Sequence, residues 1–93
     1  MRRAARIDDN QRDIVAALRS IGASVAMTHT LKGFVDVVVG YRGVNYLVEI
    51  KDGSKPKSAR QLTDLEQKFH ESWKGSVTVI KSVDEALFLL TGA

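Results

Sequence analysis

The stretch 33–51, GFVDVVVGYRGVNYLVEIK, carries three charged residues in or beside apolar runs where a buried strand would carry none: Asp36, Glu49 and Lys51. Burying an unpaired charge is costly, so the trio needs compensation from a metal ion or from its own members. Two carboxylates at the ends of buried strands form a hard-oxygen site suited to Mg²⁺ or Mn²⁺. A lysine beside them can orient or help deprotonate a water, while a cation stabilises negative charge on a phosphate under in-line attack. That chemistry is phosphodiester hydrolysis. The same residues can instead form a buried salt bridge, Lys51 with Asp36 or Glu49, and residue type alone leaves the two readings level.

Positioning the trio falls to a hairpin. Segments 34–39 and 44–51 are rich in β-branched and aromatic residues, and Gly40 and Gly43 bound the turn between them. A loop with an even number of residues, centred on Tyr41 and Arg42, sets Asp36 opposite Leu47 and diagonal to Glu49, at roughly 7–8 Å. Asp36, Val38, Leu47, Glu49 and Lys51 then share one face; Val35, Val37, Val39, Tyr46, Val48 and Ile50 share the other. An odd loop would split the carboxylates. Both faces are largely apolar, which predicts a central hairpin covered on each side.

The remaining elements follow from periodicity. Ile7, Ile14, Leu18 and Ile21 form one helical stripe, with a start near Asp8 or Asp9, a capping-box-like Asp8–Gln11 pair and a stop at Gly22. Residues 23–27 read as a short strand, and the polar connection after it holds His29, which reads as a surface residue because no second histidine stands at ligand spacing. Residues 52–61 contain the only proline, Pro56, and form a basic loop. Thr63 and Glu66 open a helix as a capping box, with Leu62, Leu65, Phe69 and Trp73 as its stripe and Gln67, His70, Glu71 and Lys74 opposite. Residues 76–81 form the last strand. Ser82 and Glu85 cap a final helix whose Val83, Ala86, Leu87, Phe88, Leu89 and Leu90 exceed one covering face, which predicts a subunit interface. The order is α-β-β-β-α-β-α.

Ninety-three residues suffice for one domain. A chain with no cysteine has no disulfide, thiolate metal site or cysteine nucleophile, and fits a reducing cytosol. No stretch has the length of a membrane span, and the basic start lacks a signal peptide's apolar region, so the expected location is cytoplasmic. The net charge is only +3, but Arg2, Arg3 and Arg6 crowd the start, and Lys51, Lys55, Lys57 and Arg60 crowd one loop. Such clusters suit phosphate backbones if they lie near the carboxylates, and otherwise form a solvated basic surface.

Asp36, twelve intervening residues, then Glu49-Ile50-Lys51 closing a hairpin resembles the PD-(D/E)xK nuclease signature. The chain is similar, more specifically, to the short stand-alone VRR-NUC (virus-type replication-repair nuclease) proteins of phages and prophages, a branch similar to Holliday junction resolvases. The resemblance rests on Asp9-Asn10-Gln11, Ile14-Val15 and Leu18-Arg19, on residues 33–53, on Leu62-Thr63, Glu66-Gln67 and Phe69, and on Ser82-Val83 with Glu85-Ala86-Leu87. It implies an α/β, restriction-endonuclease-like mixed central sheet flanked by helices. It also implies that Asp36, Glu49 and the backbone carbonyl of Ile50 hold Mg²⁺ or Mn²⁺ and that Lys51 acts on the water. Gln67 would support the site or contact DNA; its place opposite the apolar stripe favours a DNA-facing role. Val35 stands where the family has proline. The family's first-helix acidic residue would be Asp9, Asn10 or Asp13, with helix capping the simpler role for Asp9.

The expected protein is thus a metal-dependent, structure-selective DNA endonuclease acting on branched DNA such as Holliday junctions. A homodimer would present two sites to two strands. Arg2, Arg3, Arg6, Lys55, Lys57 and Arg60 would bind phosphates. The alternative is a non-catalytic nucleic-acid-binding module with the same fold.

Overall fold

Val37, Val39, Val48 and Ile50 are stiff, β-branched and apolar, and they form the buried centre of a four-stranded sheet. The computed structural model describes residues 9–93. Its elements are α1 (Gln11–Ser20), β1 (Ser24–Met27), β2 (Val37–Tyr41), β3 (Val44–Ile50), a 3₁₀ turn (Lys57–Arg60), α2 (Asp64–Ser72), β4 (Val77–Ile80) and α3 (Val83–Thr91). The strands lie in the order β1-β2-β3-β4, antiparallel except for β3 and β4, so the fold is α/β with a mixed sheet. The element order read from the sequence holds. Asp8 and its proposed capping pair with Gln11 lie partly outside the described residues; Asn10 is the N-cap of α1 and makes no side-chain cap bond.

One sheet face carries the core. Val25, Val37, Val39, Tyr46, Val48, Ile50 and Ile80 meet Ile14, Val15 and Leu18 of α1 and Ala86 of α3. The opposite face is different: Val38, Leu47, Val77 and Val79 are only half-buried and Ala26 is exposed. The hairpin is central as expected, but among the described residues its second face is only partly covered. The reason is that α2 buries none of its residues; its contacts include an aromatic cluster, Phe34 with Phe69 and Trp73 at ring separations of 5.3 and 6.3 Å. On α3, Leu89 and Leu90 pack against the core, which leaves Phe88, 60% exposed, as the large apolar residue facing outward.

The hairpin turn is even, but it is centred on Arg42 and Gly43 rather than on Tyr41 and Arg42. Both residues have positive φ, 50° and 81°, as a tight turn matching the strand twist requires, and Gly43 adopts it without a side-chain penalty. Tyr41 pairs with Val44 and Val38 with Leu47, so the register is two residues away from the expected one. A shift of two preserves faces because strand side chains alternate with period two. The ladder ends at Val37 opposite Val48, so Asp36 does not sit opposite Leu47.

Gly33 has φ +78°, and a Cβ there would come within 3.2 Å of Leu65 Cγ on α2. Gly33→Ala combines left-handed strain with crowding of that helix, so it should cost about 1–2 kcal/mol, read from urea unfolding.

Candidate active site

Asp36 is fixed by its backbone. Its N–H donates to Val48 O at 3.1 Å and its carbonyl accepts from Thr28 N–H at 2.8 Å, while the Thr28 hydroxyl donates to Val35 O at 2.8 Å. Val48 is already the ladder partner of Val37, so the β2–β3 ladder slips at Asp36. The carboxylate fills the gap: Asp36 Oδ2 accepts the Ile50 N–H at 2.7 Å. Lys51 N–H, the next along β3, donates the other way to Ile80 O of β4 at 2.9 Å. The site thus stands where β3 runs past the end of β2.

Glu49, 1% exposed, and Lys51, 9% exposed, share the Asp36 face. Lys51 Nζ is 3.8 Å from Glu49 Oε2 and 2.9 Å from Glu66 Oε1. Glu66 is a member of the cluster that the sequence presented only as a helix cap. It does cap: Thr63 N–H donates to Glu66 Oε1 at 2.9 Å, and Glu66 N–H donates to Thr63 Oγ1 at 3.2 Å. These residues line a cleft of about 580 Å³ whose walls include His29, Lys32, Leu31 and Lys55. His29, read as a surface residue, is half-buried, with Nδ1 enclosed and lacking a hydrogen-bond partner.

Three carboxyls around one lysine leave an excess of negative charge. Burial pushes the Glu49 carboxyl up to about 10, reinforced by neighbouring Glu66 and Asp36. Burial also raises Asp36, although the Ile50 N–H and Glu49 partly oppose it. Burial pushes Glu66 upward too, but the Glu49 carboxyl, the Thr63 N–H and Lys51 outweigh it and leave Glu66 below its usual range. Without another cation, burial favours the neutral form of the Glu49 carboxyl.

The donor set suits a divalent cation in part. Glu49 Oε1 is buried with no hydrogen-bond donor, and hard carboxylate oxygens are the ligands Mg²⁺ and Mn²⁺ prefer. The N–H of Ile50 points to Asp36, and in an extended strand the carbonyl of the same residue lies on the same side. Among the described residues, however, no group of three or more His, Asp or Glu side chains is arranged as a ready metal site. A cation would rest on Asp36, Glu49 and the Ile50 carbonyl.

Several other sequence candidates lie elsewhere. Asn10 donates to the carbonyls of Lys51 and Lys81, both at 3.1 Å, which ties α1 to the ends of β3 and β4 but keeps its side chain off the carboxyl cluster. Asp9 is exposed and lies 3.6 Å from Lys55 Nζ; Asp13 is exposed; both border a separate cavity beside α3. No first-helix candidate joins the acid cluster, because α1 covers the opposite sheet face. Gln67 is exposed and donates to Glu71 Oε2 at 3.1 Å, outside the cleft, as its place opposite the apolar stripe implies. Among the basic residues, Lys55 lines the cleft, Lys57 is exposed, and Arg60 lines the α3 cavity with Nε enclosed and unpartnered. Arg2, Arg3 and Arg6 lie outside the described residues. Gln11, read from the sequence as a capping partner of Asp8, is 2% exposed with Nε2 unpartnered, a burial that the α1 stripe gave no reason to expect. Asp52 is held below the usual carboxylate range by the Ser54 hydroxyl and N–H, and so shapes the loop leaving β3.

No protein-family model, curated protein or solved structure matches the chain.

Proposed function

We propose that the protein is a divalent-metal-dependent, structure-selective DNA endonuclease of the VRR-NUC type, working as a homodimer on branched DNA. The observation that carries this reading is the convergence of Asp36, Glu49 and Lys51 at one strand end, with Glu49 Oε1 buried and donorless. A structural salt bridge gives no reason for the buried, donorless Glu49 oxygen, whereas a cation site needs open carboxylate oxygens.

Bound Mg²⁺ or Mn²⁺ would supply Lewis-acid stabilisation of the phosphate and a more acidic water. The chain's own residues do the rest. Asp36 and Glu49 would hold the cation, and the Ile50 N–H keeps the Asp36 carboxylate in one orientation. Lys51, inside the cleft, would bring its ammonium to a phosphate oxygen and orient the attacking water. Lys32 and Lys55 on the walls would take neighbouring phosphates. Such contacts read backbone and shape rather than base sequence. Phe88 beside Val79 and Leu89 in a mostly apolar groove supports a dimer through α3.

One observation favours the second reading, a non-catalytic nucleic-acid-binding module: among the described residues no group of three or more His, Asp or Glu side chains is arranged to hold a metal ion. The two separate in one experiment. Four-way junctions, flaps, nicked duplex and single strands are incubated with Mg²⁺ or Mn²⁺ beside a Lys51→Ala control. Cleavage of at least one branched substrate, lost in the control, is expected; DNA binding with neither cleavage nor divalent-metal binding by calorimetry selects the module. Among the described residues no helix is long and apolar enough to cross a membrane.

A further inference from the structure

Capping α2 asks little of Glu66: one oxygen to accept the Thr63 N–H. The side chain does more, since the same Oε1 that takes that N–H at 2.9 Å also takes Lys51 Nζ at 2.9 Å. A second carboxylate oxygen near the ammonium, Glu49 Oε2, is farther away at 3.8 Å. A lysine ammonium is a point charge on a flexible stem, so an ionic partner as close as Glu66 helps to hold it in place. That partner is itself held rigidly, because Thr63 and Glu66 bond reciprocally, backbone to side chain in both directions. The capping box is therefore a bracket between the first turn of α2 and the end of β3.

We infer that Glu66 is a positioning residue for the proposed phosphodiester site, holding the Lys51 ammonium beside the Asp36 and Glu49 carboxyls, separately from its role as a helix cap. The inference rests on the reading of Lys51 as a working group of that site. The two jobs of Glu66 can be pulled apart chemically. Glu66→Gln keeps an oxygen for the Thr63 N–H, since glutamine also serves in a capping box, but removes the charge that anchors Lys51. Thr63→Ala does the reverse: it deletes the hydroxyl that accepts Glu66 N–H and leaves the Glu66 carboxylate in place.

The test compares the full-length parent with both variants on the branched substrate the parent cuts best in Mn²⁺. It also follows the Lys51 ammonium by ¹H–¹⁵N NMR, where an anchored ammonium gives a signal that a freely exchanging one loses. Glu66→Gln should lower kcat by about 10–100-fold, the scale of a misplaced working group, with KM within about twofold. It should also lose the Lys51 signal. Thr63→Ala should keep the signal and most of kcat, with a lower Tm. A Glu66→Gln protein that cuts like the parent, or a Thr63→Ala protein that loses as much kcat as Glu66→Gln, would overturn the inference. If the parent cuts none of the DNA structures, the nuclease reading fails by itself, and a Lys51 signal that survives in Glu66→Gln then rejects the anchoring separately.

Discussion

Asp36→Asn should leave a folded protein that has lost cleavage of branched DNA by about a hundredfold or more, because several kcal/mol of charge stabilisation disappear with the cation's ligand. The fold should survive for a specific reason. The stabilising contact of Asp36 is the 2.7 Å bond that Oδ2 accepts from the Ile50 N–H, and an asparagine oxygen can accept the same bond. Asparagine is also spared the desolvation that raises the Asp36 carboxyl. Its unfolding free energy should therefore stay within about 1 kcal/mol of the parent, the net worth of one such hydrogen bond. Asp36→Ala, by contrast, leaves the Ile50 N–H without its acceptor and should cost about 1–3 kcal/mol. Rate measurements in Mg²⁺ and Mn²⁺, paired with urea unfolding, separate the two effects. An Asp36→Asn protein that cuts at the parental rate would remove Asp36 from the site.

Glu49→Gln should make the metal-free protein more stable at pH 8, although it replaces one of the most buried polar side chains in the chain. The Glu49 carboxyl titrates near 4.5 when unconstrained and is pushed up to about 10 in the folded protein. Between those values the folded state retains a proton that the unfolded state has lost, so stability falls as pH rises, by about 1.4 kcal/mol per pH unit at most. From pH 6 to pH 8 the parent in EDTA should lose roughly 2–3 kcal/mol. Asp36, raised as well, acts in the same direction. Glu66, lowered by its partners, acts oppositely and elsewhere: its contribution is present above its ordinary value of 4.5 and is lost only as pH falls through its depressed folded value. A glutamine amide, with two N–H donors, can donate toward Asp36 and Glu66 and has no proton to lose.

Thermal denaturation in EDTA should accordingly show a parent Tm that declines from pH 6 to pH 8 and a Glu49→Gln Tm that changes little. Millimolar Mn²⁺ should restore the parent at pH 8, since a ligand that binds only the folded state stabilises it by mass action, and should do little for the variant. Equal stabilisation of both by Mn²⁺ would mean that Glu49 holds no cation.

How much of this was legible in the sequence varies from residue to residue. The cap of α2 was fully readable, because Thr63 and Glu66 are three apart and a capping box is a local interaction. Ser82 likewise caps α3, accepting Glu85 N–H at 3.1 Å, although the Glu85 side chain turns to Lys81 N–H at 2.7 Å. The register of the hairpin was misjudged because the turn depends on which pair tolerates positive φ. Tyr41 pairs in the strand, and Arg42 with Gly43 makes the turn. The sites of Asn10, Asp13 and Arg60 were out of reach for another reason: their place depends on which sheet face each helix or turn covers, and helical periodicity does not encode that.

By itself the sequence determined the order of elements, the caps of α2 and α3 and the grouping of Asp36, Glu49 and Lys51 on one face. Alternation along a strand has period two, and a register error of two leaves it intact. Only the tertiary structure decided that Asp36 closes onto the Ile50 N–H, that α2 buries none of its residues, and that Glu66 reaches Lys51 across fifteen residues of chain. Those are contacts between elements, fixed by how the slipped ladder, the loop after β3 and the first turn of α2 meet, and no local pattern carries them.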